Sequence, residues 1–309
     1  MKNNKFQRKI ISFILILVIF LFTVLQTYAM PDSFESFSME RFFQILTEST
    51  EKSVNVPILM YHHLSDDTYL DTVVIPETFE NHIKTLADNG YNGIFFEQLV
   101  DYVENDGELP ENPIIITFDD GYLSNYELAY PILKKYNMKA TIFVIGIAVG
   151  KDTYRDTESE EYPIIPHFDY TQAIEMTESG LISIQSHSYD MHHLKEYEIY
   201  LNGQYRYGVL PLENETEEEY TQIFRDDYIR AKTELEIILQ TQSTVYSYPF
   251  GKYTELSEAL LRELGIKATL TVNYGSNKII KGNPDSLYLL NRYNINNMPS
   301  EKLLEIIGQ

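Results

Sequence analysis

The sequence predicts an α/β domain built on parallel strands, as a barrel or an open sheet, and three observations carry that prediction. Short β-rich apolar runs recur from residue 56 onward, helical patterns lie between them, and four of the runs end in unusual polar residues. Strands alternating with helices mark parallel β/α architecture. At 309 residues the chain fits one large domain or two small ones, and a chain of this size buries roughly 75% of the surface it exposes when unfolded.

The elements follow in order. Residues 1–29 open with Lys2, Lys5, Arg8 and Lys9, run apolar from Ile10 to about Leu25, and reach Thr27-Tyr28-Ala29, the order of an export signal. The run is short for a transmembrane helix, which needs about 20 residues, so a cleaved signal peptide and a retained membrane anchor both fit. Either places the bulk of the protein outside the cytoplasm, extracellular or at the cell surface. Residues 30–55 carry Met39, Phe42, Phe43 and Leu46 at helical spacing and read as a stalk or linker helix. A single domain is expected over 56–309, with strands at 56–61, 91–95, 113–118, 140–145, 181–185, 244–248 and 268–272. Among the helix signals between them, Phe79, Ile83 and Leu86 share a face. Ser124-x-x-Glu127 and Thr216-x-x-Glu219 read as capping boxes, and Gly265 sits where a helix from Thr254 should stop. The acidic stretches 154–161 and 213–219 read as solvated insertions.

Composition narrows the chemistry. The absence of Cys excludes disulfide frameworks, thiolate zinc sites and cysteine nucleophiles, leaving metal sites made of His and carboxylates. A formal charge of -22 argues against a nucleic-acid partner, because Lys and Arg supply most of the attraction to phosphate. It is compatible with a neutral or cationic one.

In a parallel barrel the chemistry sits at the C-terminal ends of the strands. Four such ends stand out: Met60-Tyr61-His62-His63, Phe118-Asp119-Asp120-Gly121, Ser186-His187-Ser188 with His192-His193 beyond, and Ser247-Tyr248-Pro249-Phe250-Gly251. Two adjacent carboxylates at a buried strand tip repel each other unless a cation neutralises one. Asp and Gly are also ordinary turn formers. A loop leaving the strand at 181–185 can bring His187 and His192 to one ion, with His193 or Asp190 as alternative ligands. Two imidazoles and one carboxylate make a catalytic zinc set with a position left open.

Thr117-Phe118-Asp119-Asp120-Gly121, Ser186-His187-Ser188 with His192, and Tyr248-Pro249-Phe250-Gly251 resemble, in order and spacing, the motifs of the polysaccharide deacetylases, carbohydrate esterase family four. The likeness is strongest to the branch containing the poly-β-1,6-N-acetylglucosamine N-deacetylases, where the second metal His follows the first by five residues and a strand similar to Pro57-Ile58-Leu59-Met60-Tyr61-His62 comes first. The resemblance covers about residues 55–308. It implies a distorted parallel (β/α)7-type barrel and a divalent metal, Zn2+ with Co2+ or Ni2+ as alternatives, held by Asp120, His187 and His192. Asp119 is then the general base, and the backbone N–H of Tyr248 helps to hold the oxyanion. His62 becomes the proton donor, preferred to His63, because this sequence has no His after His193. The implied reaction removes acetyl groups from N-acetylglucosamine units of a cell-envelope or biofilm polysaccharide.

Two departures from the family pattern are visible. The late His is missing, and Ser247 stands where many members carry an Arg paired with the base. Arg292 is the candidate replacement, its alternative role being a surface ion pair. His167, Tyr61 and Tyr122 are candidates to line a sugar cleft, although Tyr is abundant here. Two rival readings follow from the departures: an O-acetyl glycan esterase of the xylan type on the same site, and a catalytically inactive carbohydrate-binding protein.

Overall fold

In the computed structural model the described residues are 52–308, apart from 69, 155–161 and 193–205. The export signal, nearly all of the expected linker helix and His193 lie outside them. The strands are β1 Ser53–Val56, β2 Ile58–Tyr61, β3 Asn92–Gly93, β4 Pro113–Phe118, β5 Ala140–Val144, β6 Thr153–Tyr154, β7 Tyr162–Pro163, β8 Ile182–Ser186, β9 Val245–Ser247, β10 Ala268–Leu270, β11 Asn277–Ile280 and β12 Tyr293–Asn294. The α-helices are α1 Pro76–Asp88, α2 Phe96–Glu104, α3 Tyr130–Tyr136, α4 Tyr170–Glu178, α5 Glu217–Leu239, α6 Glu255–Glu263 and α7 Ser300–Ile307.

The main sheet runs β10-β9-β8-β5-β4-β2-β12, with every neighbouring pair parallel. β3 adds a short parallel pairing at the start of β4. The sheet curls until one late segment meets both of its ends. Leu290 bridges to Leu270 of β10, whereas Tyr293 and Asn294 pair with Leu59 and Met60 of β2. The result is the expected distorted (β/α)7 barrel. All seven strand runs foreseen in the sequence are present.

Alternation along the strands builds two apolar layers. Leu59 and Tyr61 of β2, Ile114, Ile116 and Phe118 of β4, and Ile142 and Val144 of β5 face outward onto Phe79, Ile83 and Leu86 of α1. Their neighbours Ile58, Ile115 and Phe143 belong to a second cluster, closed by Phe96 and Leu99 of α2. All six residues of β4 are buried, as a central parallel strand covered on both faces requires. Because side chains alternate strictly, the face that carries Ile115 carries Thr117 and then Asp119. By the same count it carries Ile58, Met60 and then His62, and Val245 and then Ser247. The inner face therefore turns from apolar to polar towards the C-terminal strand ends.

The structure corrects three local expectations. Residues 53–55 belong to β1, paired antiparallel with β11, so the domain begins earlier than residue 56. Ser124 caps no helix: its Oγ is 2.8 Å from His63 Nδ1 and accepts from the Leu64 N–H, and residues 125–129 form a π-helical turn. Glu215, expected in a solvated insertion, is buried against Arg206. The capping box at Thr216 and Glu219 forms as read, and Gly265, at φ 91°, follows α6.

Candidate active site

Four strand ends and the barrel-closing segment converge on Asp119 and Asp120. Just beyond β4 the chain turns through two successive left-handed residues, Asp120 at φ 75° and Gly121 at φ 84°. A Cβ on Gly121 would lie 2.8 Å from Val144 Cγ1, so glycine is required for the close approach to β5. The turn separates the two carboxylates, leaving Asp119 facing Arg292 and Asp120 facing the histidines.

Arg292 is fully buried and grips Asp119 with both ends of its guanidinium, Nη1 to Oδ1 and Nη2 to Oδ2, each at 2.7 Å. Its Nε donates to the Thr271 carbonyl at 2.8 Å, and Nη2 also donates to Ser247 Oγ at 3.0 Å. The small Ser247 thus leaves space for an arginine arriving from another strand. Burial disfavours the Asp119 carboxylate, but the Arg292 charge and its hydrogen bonds outweigh it, and the carboxyl is held below its ordinary range. Asp119 is ionised, oriented and ready to accept a proton.

Asp120, His187 and His192 place one ligand atom each within 4.8 Å of one another. His192 Nε2 lies 3.2 Å and His187 Nε2 3.6 Å from Asp120 Oδ1. His187 Nδ1 donates to the Ser247 carbonyl at 2.7 Å, which leaves Nε2 as the free lone pair, the arrangement usual for a metal-ligating imidazole. Burial pushes His187 down to about 4, so it is neutral at physiological pH. Asp120 Oδ1 is buried and has no well-formed hydrogen bond among the described residues, its nearest imidazole nitrogen being His192 Nε2 at 3.2 Å. A buried carboxylate oxygen without a donor, faced by two imidazole nitrogens, fits a divalent cation.

His62, from the end of β2, reaches the same site: it acts electrostatically on both Asp119 and Asp120, and its buried Nδ1 has no hydrogen-bond partner among the described residues. His63 instead shares a hydrogen bond with Ser124 and packs against Tyr122. The geometry favours His62 over His63. Tyr248 requires correction, because its N–H donates to the Leu270 carbonyl at 3.0 Å and its hydroxyl to Glu258 at 2.9 Å. A strand-ladder N–H already in use is not available to an oxyanion. Two residues on, Phe250 stands at φ 56° with its N–H in no hydrogen bond among the described residues, and its ring packs 4.4 Å from that of His192. That loop amide is the one the sequence reading missed, and the positive φ is a backbone feature no residue pattern announces. Tyr61 is likewise no cleft residue, being buried with its hydroxyl 3.2 Å from His82 Nδ1. His167 and Tyr122 do lie together beside the Asp120-Gly121 turn, rings 5.0 Å apart.

The comparisons agree with this construction. The polysaccharide deacetylase family model matches residues 106–269. The “Putative polysaccharide deacetylase YxkH” of Bacillus subtilis (strain 168) is 33% identical over 246 residues, 80% of this chain and 73% of its own length. The poly-β-1,6-N-acetyl-D-glucosamine N-deacetylase of Staphylococcus aureus (strain MRSA252) is 26% identical over 61% of this chain and 57% of its own. Among solved structures, a de-N-acetylase from Aggregatibacter actinomycetemcomitans superposes with a TM-score of 0.68 at 23% identity, covering 81% of this chain and 99% of that one, and shares the fold. The chain belongs to the polysaccharide deacetylase family and is a hydrolase acting on amide bonds.

Proposed function

We propose that the protein is an exported, metal-dependent N-deacetylase that removes acetyl groups from N-acetylglucosamine units of a cell-envelope or biofilm polysaccharide. The observation that carries this reading is the division of labour between adjacent carboxylates: Asp119 clamped by Arg292 as a base, Asp120 facing two imidazoles as a ligand. Asp120, His187 and His192 would hold a divalent cation, which would supply Lewis acidity at the site. Asp119, kept ionised and fixed in direction, accepts the proton of the attacking water. The Phe250 N–H, in no hydrogen bond among the described residues, is the loop donor for charge developing on the acetyl oxygen, in place of the Tyr248 N–H. His62 delivers a proton to the departing amine, which an amide needs more than an ester does. The relatives named for N-deacetylation of poly-β-1,6-N-acetyl-D-glucosamine support the polymer assignment.

Acetate release from N-acetylglucosamine oligomers by residues 30–309 tests the proposal. Chelation is expected to abolish release, and Asp119→Asn to retain metal while losing turnover. Activity indifferent to chelator refutes the metal requirement, and a wild-type protein inert on every acetylated glycan refutes the enzyme reading.

A further inference from the structure

Beyond the motif residues, a loop anchored with unusual care brings one aromatic side chain to the metal site. Arg206 and Glu215 form a 2.5 Å ion pair whose side chains are only 3% and 5% exposed. Arg206 also donates to the Leu210 carbonyl at 2.9 Å, Glu215 accepts from the Leu212 N–H at 3.0 Å, and the hydroxyl of the buried Tyr220 holds the Val209 carbonyl at 2.8 Å. Buried ion pairs contribute little net stability, because desolvation offsets their attraction. What this one does is fix a turn. Between the buried Arg206 and Gly208, Tyr207 is the half-exposed residue, and its ring stacks on Phe250 with centroids 5.3 Å apart and planes 21° from parallel.

Backbone conformation is specialised on both sides of that stack. Gly208 sits at φ 56°, where a Cβ would come within 3.0 Å of the Pro249 carbonyl oxygen, so only glycine lets the turn approach the Pro249-Phe250-Gly251 loop. Phe250 holds a left-handed conformation that is costly for an aromatic residue. Its ring in turn meets His192, a ligand of the cation site, at 4.4 Å. The next loop continues the surface: Gly251 packs against Val272, and Val272 and Tyr274 stand 43% and 64% exposed beyond β10. The partly exposed Tyr207 ring, backed by Phe250 and through it by the His192 imidazole, offers a flat surface suited to the apolar C–H face of a pyranose.

We propose that Tyr207, backed by Phe250, forms a stacking shelf for the sugar adjacent to the one being deacetylated, which makes Tyr207 a substrate-positioning residue that favours an extended glycan over a short one. The inference rests on the glycan reading above and deepens it. The ring pair is preorganised, so little freedom is lost when a sugar docks. Lys252 Nζ lies 5.4 Å from the centroid of the Tyr207 ring.

Steady-state acetate release from β-linked N-acetylglucosamine oligomers of two to six units, in parallel with hydrolysis of a small aryl acetate, tests it. In the wild type kcat/KM is expected to rise with oligomer length. Tyr207→Ala should flatten that rise by roughly tenfold at the longest oligomer, mostly through KM, as expected for losing an aromatic contact of about 1.4 kcal/mol. Tyr207→Phe, which keeps the ring, should restore it. A Tyr207→Ala enzyme with the wild-type length dependence overturns the proposal, as does one that loses oligomer and aryl acetate activity in equal proportion, which marks a structural role. A wild type that hydrolyses the aryl acetate but no oligomer refutes the glycan reading itself, and the shelf with it.

Discussion

Asp119 and Arg292 are 173 positions apart, and each is of little use without the other. Removing the guanidinium would leave a buried carboxylate beside the metal ligands with no cation of its own, a change that costs ~3–5 kcal/mol for a buried pair. The Ser247 hydroxyl, 3.4 Å from Asp119, is no substitute for that charge. His62 is the complementary group, and His62→Ala should slow amide hydrolysis by about 10²–10⁴-fold while slowing an acetyl ester far less, measured as acetate release from matched substrates. His187 makes a separate prediction about pH. Its folded-state value of about 4 is depressed from an ordinary 6.5, so the unfolded chain binds its proton first. The stability this neutral imidazole contributes is complete above about pH 6.5 and is lost as pH falls towards 4. In chelator, thermal melts should therefore lose Tm across that window more steeply for wild type than for His187→Asn.

At the scale of elements, the loop after β8 shows how a helix outside the barrel governs the centre. Asp227, on α5, accepts the N–H groups of Tyr189 at 2.9 Å and Asp190 at 2.7 Å, and Ser188, at φ 78°, accepts the Met191 N–H on its hydroxyl. These bonds set the path from His187 to His192. Asp227→Ala is expected to weaken metal affinity about 10–100-fold, as supporting bonds around a ligand commonly do, read by competition with a chromogenic chelator. How much of this was legible in the sequence depends on range. Period-two alternation and the β-branched run of β4 announce the strands and their tips. Asp119, Asp120, His187, His192 and His62 sit where those tips converge. Asp227 is an acid on a helix like many others, and its role depends on a contact 37 positions away in the chain that local pattern does not encode. Tyr248 was misjudged for a related reason: whether an N–H is free depends on the register of β9 against β10. Ser124 and Glu127 have the spacing of a capping box, yet tertiary contacts with His63 and Leu64 claim the hydroxyl.

For the molecule as a whole, charge and topology matter most. The chain carries -22 overall even with its basic N-terminus included. Deacetylation uncovers amines, so an acidic surface attracts a partly deacetylated product more strongly than its acetylated precursor. Retention of such a polymer should weaken between low salt and about 0.15 M, where charges are screened beyond about 8 Å. Binding independent of ionic strength would reduce the charge to a solubility feature. Among the described residues no helix is long and apolar enough to cross a membrane.

The closing segment has a consequence in time. Arg292 belongs to the stretch that joins β10 to β2, whereas every candidate metal ligand lies at or before position 192. Every candidate ligand residue, together with Asp227 and Ser247 that position the two histidines, is therefore synthesised before the group that orients the base. A chain that stops short of Arg292 would hold its ligand residues with no oriented base, and competence would arrive in the same step that shuts the barrel.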